Sequence, residues 1–229
     1  MKMKLPLVTL FCLGMLNIGL AGADPGYVEA PFGDLDSFST NDWWEREPCH
    51  ITDLKVPRDQ VIVFGIYTLS NSTLKLTAQL YPLYPNEARK VALEIKDRGA
   101  WKRIATAPVN EIGWSAHFRV EDWNHQERVA YRLRHDDRAS FYGHIRPDPI
   151  HQDEIVVAAL SCNSNADRGM RENYVRNINA QDPDLVFFAG DQSYDHLQHT
   201  AAWIKFGLQF REVFRDRPCV TIPDDHDIG

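Results

Sequence analysis

Three short stretches carry the residues best suited to chemistry. They are Ser161, Cys162 and Asn163; then Gly190, Asp191, Tyr194 and Asp195; then Asp224, Asp225, His226 and Asp227. Together they offer a thiolate, a phenolate, several carboxylates and an imidazole, which are metal ligands more than members of a hydrolase triad. The sequence has no Gly-x-Ser-x-Gly nucleophile elbow, no Gly-rich phosphate loop and no dinucleotide fingerprint. A carboxylate such as Asp191 has two oxygens and can bridge two cations. Two cations about 3.5–4 Å apart can activate a water and stabilise an in-line displacement at phosphorus. Each residue taken alone has a plainer reading. A Gly-Asp pair after a strand is often a turn, Cys162 could be an inert buried thiol, and the aspartates 224, 225 and 227 could cap a helix. His226 alone could be a hydrogen-bonded core histidine. His196 and His199 read as the solvated start of a helix. Asn71-Ser72-Thr73 matches a glycosylation acceptor, a pattern short enough to arise by chance.

What joins the three stretches is the kind of element that precedes each. Residues 154–160 form a continuous apolar run, as expected of a strand buried on both faces. Residues 184–189 and 218–222 read as two more strands. Between them, 168–179 reads as a helix with Met170, Tyr174 and Ile178 on one face and Asp167 as N-cap. Residues 200–214 read as a second helix, with an apolar stripe at Trp203, Phe206, Phe210 and Phe214. Alternating strands and helices with short joins predict parallel strands, and parallel strands bring their carboxyl ends to one edge of the sheet, where ligands bind. Each polar stretch starts at such an end, so the three are expected to meet in space.

Upstream the pattern differs. Residues 61–67, 74–80, 91–95, 101–105, 115–120, 129–134 and 140–145 read as short strands separated by turn signals, with no helical window. Six or seven such strands suggest a β-sandwich of immunoglobulin or fibronectin type, without the antibody-type cysteine pair. The predicted organisation is therefore a leader at 1–23, an irregular lead-in at 24–56, a β-sandwich domain at 57–147 and an α/β domain with parallel strands at 152–229.

Lys2 and Lys4, an apolar run over 5–20 and the small residues Ala21 and Ala23 read as a secretory signal cleaved after Ala23, which implies a secreted or periplasmic protein. Pro6 and Asn17 interrupt the run, which is short for a membrane span, so no span is expected once the signal is removed. Of 4 cysteines, Cys12 lies in the leader. Cys49, Cys162 and Cys219 remain, an odd number that leaves at least one thiol outside any intramolecular bridge. Hydrophobic residues at 44% and charged residues at 25% are the proportions of a globular protein. A net charge of −7, with no block of Lys or Arg, gives no indication of sequence-independent binding to nucleic acid. Nothing in the sequence indicates an oligomeric state.

At the three polar stretches the sequence resembles the alkaline phosphatase D family of metallophosphoesterases, within the calcineurin-like phosphoesterase superfamily. The family's first motif, Ser-Cys followed by an amide residue, is matched by Ser161, Cys162 and Asn163. Its second, Gly-Asp-x-x-Tyr-acid, is matched by Gly190, Asp191, Tyr194 and Asp195. Its third, Asp-Asp-His-acid, is matched by Asp224 to Asp227, with Asp227 where the family usually has Glu. The order of parts is also similar: an exported precursor, an N-terminal β-sandwich, then the phosphoesterase domain. The resemblance implies that Cys162, Asp191 and Tyr194 bind one metal, Fe3+. Asp191 would bridge to a second site shared with Asp225 and held by Ca2+, other divalent metals being possible. His226 would contact the phosphate or protonate the leaving oxygen, and metal-bound hydroxide would attack a phosphate monoester or diester as substrate. The leader lacks the family's twin arginine, which implies export unfolded.

The superfamily's later strands and histidine ligands would follow Gly229. The expectation is thus an N-terminal half of the phosphoesterase domain, a fragment inactive by itself. Two other readings stand beside it. One is a non-catalytic extracellular binding protein that uses the β-sandwich, its α/β portion degenerate. The other is a metal-dependent hydrolase acting on a different ester.

Overall fold

Alternation dominates the first half of the chain and produces antiparallel strands. In a computed structural model, residues 52–163, 170–194 and 199–228 are described. The predicted leader, Cys49, Asp167, Asp195, His196 and nearly all of the lead-in lie outside them. Seven strands follow one another: β1 (Ile62–Ser70), β2 (Thr73–Leu80), β3 (Lys90–Asp97), β4 (Ala100–Asn110), β5 (Ser115–Val120), β6 (Val129–His135) and β7 (Ala139–Ile145). Leu74, Leu76 and Ala78 of β2, and Phe141 and Ile145 of β7, face inward at alternate positions, as a pleated strand with one buried face requires. Asn71 and Ser72, both at positive φ, turn β1 into β2, and Arg98 and Gly99 turn β3 into β4. The predicted glycosylation acceptor is therefore the β1–β2 turn.

The predicted β-sandwich followed by a truncated α/β domain with parallel strands is corrected by the sheet order. The seven strands form a single antiparallel sheet, β1-β2-β5-β4-β3-β6-β7, which dominates the molecule. It curls into a barrel-like form. Gly65 of β1 lies against Leu133, Tyr131 and Phe141 of β6 and β7, and Tyr67 packs edge-on against Tyr131 with ring centroids 6.4 Å apart. The physical cause is β4. It spans 11 residues, pairs with β3 as far as Pro108, and then pairs with β5 through Val109 and Asn110. Proline has no N–H to donate, so Pro108 suits the point where the strand changes partners. One strand thereby hydrogen-bonds both halves into a single sheet.

Among the described residues three short strands pair in parallel, β8 (Val157–Leu160), β9 (Leu185–Ala189) and β10 (Cys219–Ile222), in the order β10-β9-β8. The α-helices among the described residues are α1 (Arg171–Gln181), α2 (His199–Phe214) and the short α3 (Asp225–Ile228). The prediction that 154–160 is a strand buried on both faces also fails. Ile155, Val156 and Val157 are exposed and β8 is an edge strand of the small sheet. The helical stripe Met170, Tyr174 and Ile178 is buried only at Ile178.

The small sheet does not build a core of its own. Phe188 of β9 meets Phe206, Phe210 and Phe214 of α2 edge-on, at 4.8, 5.0 and 5.9 Å. The same helix lies on β1: Phe64 contacts Trp203 at 5.8 Å and Phe214 at 5.5 Å, and Gly207 lets the Phe64 ring touch the helix backbone. Each buried phenylalanine contributes roughly 1.5–3 kcal/mol. Trp203 Nε1 adds a hydrogen bond to Gln79 Oε1 at 3.1 Å. A second tie runs from Arg146, just after β7, to Asp182 at the end of α1. The described residues all fall in one compact unit, Phe32–Gly229.

Candidate metal centre

The three polar stretches begin where β8, β9 and β10 end. Past the last strand residues the backbone pairing continues: Cys162 N–H donates to Gly190 O at 3.3 Å and Asn163 N–H to Asp191 O at 2.8 Å. The chain must turn sharply there. Cys162 (φ 58°), Gly190 (φ 89°) and Asp191 (φ 54°) all sit in the left-handed region. For non-glycine residues that conformation is costly and clusters at functional sites. Gly190 has a second reason to be glycine, because a Cβ there would lie 2.4 Å from Asp224 Cβ. The second and third stretches therefore touch through a missing side chain.

Side-chain amides tie the same segments. Asn163 Nδ2 donates to Gln192 O at 3.2 Å and to Gln209 Oε1 of α2 at 2.9 Å. Gln192 Nε2 donates to Ile222 O at 3.0 Å. Gln192 and Gln209 did not stand out in the sequence. Only the position of Gln192, directly after Asp191, could have drawn notice, since amide side chains follow no periodic pattern.

Asp191 is the centre of the arrangement and is only 7% exposed. Its Oδ2 accepts a hydrogen bond from Tyr194 OH at 3.0 Å and faces the Cys162 thiol at 3.7 Å. Its Oδ1 is buried with no hydrogen-bond partner. Donor atoms of Asp191, Asp225 and His226 all lie within 4.8 Å of one another, and the Tyr194 and His226 rings stack at a tilt, 4.3 Å apart. Cys162, Asp191 and Tyr194 thus form one group, Asp191, Asp225 and His226 another, and Asp191 is common to both. Hydrogen bonding to Cys162, burial and Asp191 together push the Tyr194 phenol well above its ordinary range. Cys162 is exposed, whereas Cys219 is buried in β10 and its thiol is pushed far up by that burial. His199 is exposed in the first turn of α2.

The donor set fits a cation. Leaving a buried carboxylate oxygen without a partner costs about 1–3 kcal/mol or more, and a cation shared with Asp225 would relieve that cost. A cleft of about 400 Å³ opens beside the group, lined by Ser161, Cys162 and Tyr194 together with Arg171 and Tyr174 of α1. No helix among the described residues is long and apolar enough to cross a membrane.

No family model matches the sequence, and no curated protein matches it. Among solved structures the chain is similar to one described as the structure of PhoD, with 18% identity and a TM-score of 0.56. The match covers 72% of this chain and 38% of that one. At that identity the likeness shows a shared fold alone, and this chain spans little more than a third of the PhoD chain's length. A pectate lyase, Pel3 from Pectobacterium carotovorum, aligns at a TM-score of only 0.28 with 9% identity, covering 57% of this chain and 41% of that one, which carries no argument.

Proposed function

We propose that this chain belongs to a metal-dependent phosphoesterase of the alkaline phosphatase D type, exported from the cytoplasm and acting on phosphate monoesters or diesters. The observation that carries the reading is Asp191, a buried carboxylate shared by two donor groups and with one oxygen unsatisfied. A fold similar to that of PhoD supports it, and in this chain the three polar stretches begin where β8, β9 and β10 end.

In this reading Cys162, Asp191 and Tyr194 would hold one cation, and Asp191 with Asp225 would hold a second. Thiolate and phenolate suit Fe3+ at the first position, while carboxylates suit Ca2+ or another hard divalent ion at the second. When bound, such cations polarise phosphoryl oxygens and make a water nucleophilic near neutral pH. The chain's own residues supply the rest. Asp191, with a carboxylate oxygen available to each group, would be the residue common to both positions. Asn163 and Gln192 lock the backbone that carries Cys162 and Asp191. The Tyr194 ring orients the His226 imidazole, which delivers a proton to the leaving oxygen. Arg171, in the adjoining cleft, is placed to meet the negative charge of the ester.

Elemental analysis of purified protein tests the assignment. Cys162→Ser and Tyr194→Phe are each expected to lose most bound iron, and unchanged iron in both would sink the ligand set. Joined to the later strands and histidine ligands that the resemblance implies, the His226→Ala protein is expected to retain metal and lower turnover of a chromogenic phosphate ester at least about 100-fold, the usual scale of general acid catalysis. Full activity in that variant would remove His226 from the mechanism.

A further inference from the structure

Asp227 makes more hydrogen bonds than a helix cap needs. One oxygen, Oδ2, accepts from Asp224 N–H at 3.1 Å, reaching back from the third helical position to the residue before α3. Alone, that is half of a capping box, an ordinary helix-start device. The other oxygen, Oδ1, crosses to a different segment and accepts from Ser193 N–H at 3.2 Å. Ser193 stands between Asp191 and Tyr194, and Asp224 directly precedes Asp225 and His226. A single carboxylate therefore joins the backbone of the second stretch to that of the third, beside the point where Gly190 and Asp224 touch.

We propose that Asp227 is a positioning residue, a latch that holds the segment of Asp191 and Tyr194 against the segment of Asp225 and His226. The proposal rests on the phosphoesterase reading for the use of the latch, but not for its existence. Bonds from two amides to one carboxylate are charge-assisted and short-ranged, so they define a separation between segments that backbone pairing does not reach. A glutamate, one methylene longer, would set a different separation. The aspartate therefore goes with the close Gly190–Asp224 contact.

The test uses the full chain and two variants, Asp227→Asn, which keeps the size but only one acceptor oxygen, and Asp227→Ala, which keeps neither. Amide hydrogen exchange by NMR is read at Ser193 and Asp224, with Phe188 and Ile204 as core reporters. Mn2+ affinity is read by calorimetry. Asp227→Asn is expected to speed exchange about tenfold or more at one of the two amides and Asp227→Ala at both, with the core reporters unchanged. If the alanine variant fails to fold, the asparagine variant carries the test. Mn2+ affinity is expected to fall about 10–100-fold, the scale on which outer-shell partners act. Leu93→Ala, a core change in β3 of the antiparallel sheet, is expected to lower stability without altering Mn2+ affinity and so separates positioning from general destabilisation. Unchanged exchange at both amides overturns the latch. Faster exchange with unchanged Mn2+ affinity reduces Asp227 to a cap and overturns its positioning role. A wild type that binds no Mn2+ while the variants still lose protection leaves the latch standing and brings down the phosphoesterase reading instead.

Discussion

Gly190→Ala can be compared with a near-perfect control, Gly99→Ala. The two glycines have almost the same φ, 89° and 88°, but a Cβ on Gly99 would meet nothing within 4 Å, whereas on Gly190 it would lie 2.4 Å from Asp224 Cβ. Placing alanine in the left-handed region costs about 1–2 kcal/mol, and Gly99→Ala should show that alone. At Gly190 a second cost is added. Carbon atoms pack at about 3.5–4.0 Å, so Asp224 must retreat by roughly 1 Å or strain must build, which typically costs about 1–3 kcal/mol. Gly190→Ala is therefore expected to destabilise by about 2–5 kcal/mol, the excess over Gly99→Ala being the clash. Urea unfolding of both variants gives the two numbers. The retreat also carries Asp225 and His226 away from Asp191, and metal geometry tolerates only about 0.2 Å. Mn2+ affinity should thus fall at least about tenfold in Gly190→Ala and stay at the wild-type value in Gly99→Ala. Equal destabilisation by the two substitutions, or wild-type Mn2+ binding in Gly190→Ala, would refute the close contact as the reason for the glycine.

Two further outcomes follow from contacts away from the site. In Gly207→Ala, a gain of about 1 kcal/mol in helix propensity competes with a Cβ placed 1.9 Å from the Phe64 ring, which Trp203 and Phe214 hold in place. Overpacking wins, and Tm should drop by a few degrees at about 2–4 °C per kcal/mol, with partial recovery in Phe64→Leu; a raised Tm would contradict the packing. Asp182 accepts from Arg146 and from Arg217 at 2.8 Å, and these bonds hold its carboxyl below the usual range. A depressed pKa contributes stability that is full above the unfolded value of about 3.9 and is lost as pH falls through the lower folded value. The group is largely exposed, so Asp182→Asn should cost only about 0.5–1 kcal/mol at pH 7. The gap from wild type should shrink by pH 3, and an equal gap at both pH values would exclude the ion pairs as its source.

The strands were largely legible because their burial alternates. Residues 115–120 and the predicted runs at 74–80 and 140–145 agree with β5, β2 and β7 to within a residue. Closure of the sheet was not legible, since the predicted run ends at 105 whereas β4 continues through Pro108 to a new partner. The apolar run 154–160 was misread for a related reason: composition reports that side chains are apolar, not how many faces a neighbour covers. At the candidate centre, Cys162, Asp191, Tyr194, Asp225 and His226 were visible as polar residues directly after apolar runs. Asn163 was visible only as part of a motif, and the amides of Gln192 and Gln209 were not visible at all, because their work is done by geometry between segments distant in sequence.

The packing of α2 on β1 has a consequence for how the chain is made. Gln79 waits for Trp203, a residue 124 positions later. At translation rates of about 5–20 residues per second, that interval is roughly 6–25 s, during which the apolar face bearing Phe64 has no helix to cover it. A nascent chain in this state is a ready client for holding chaperones.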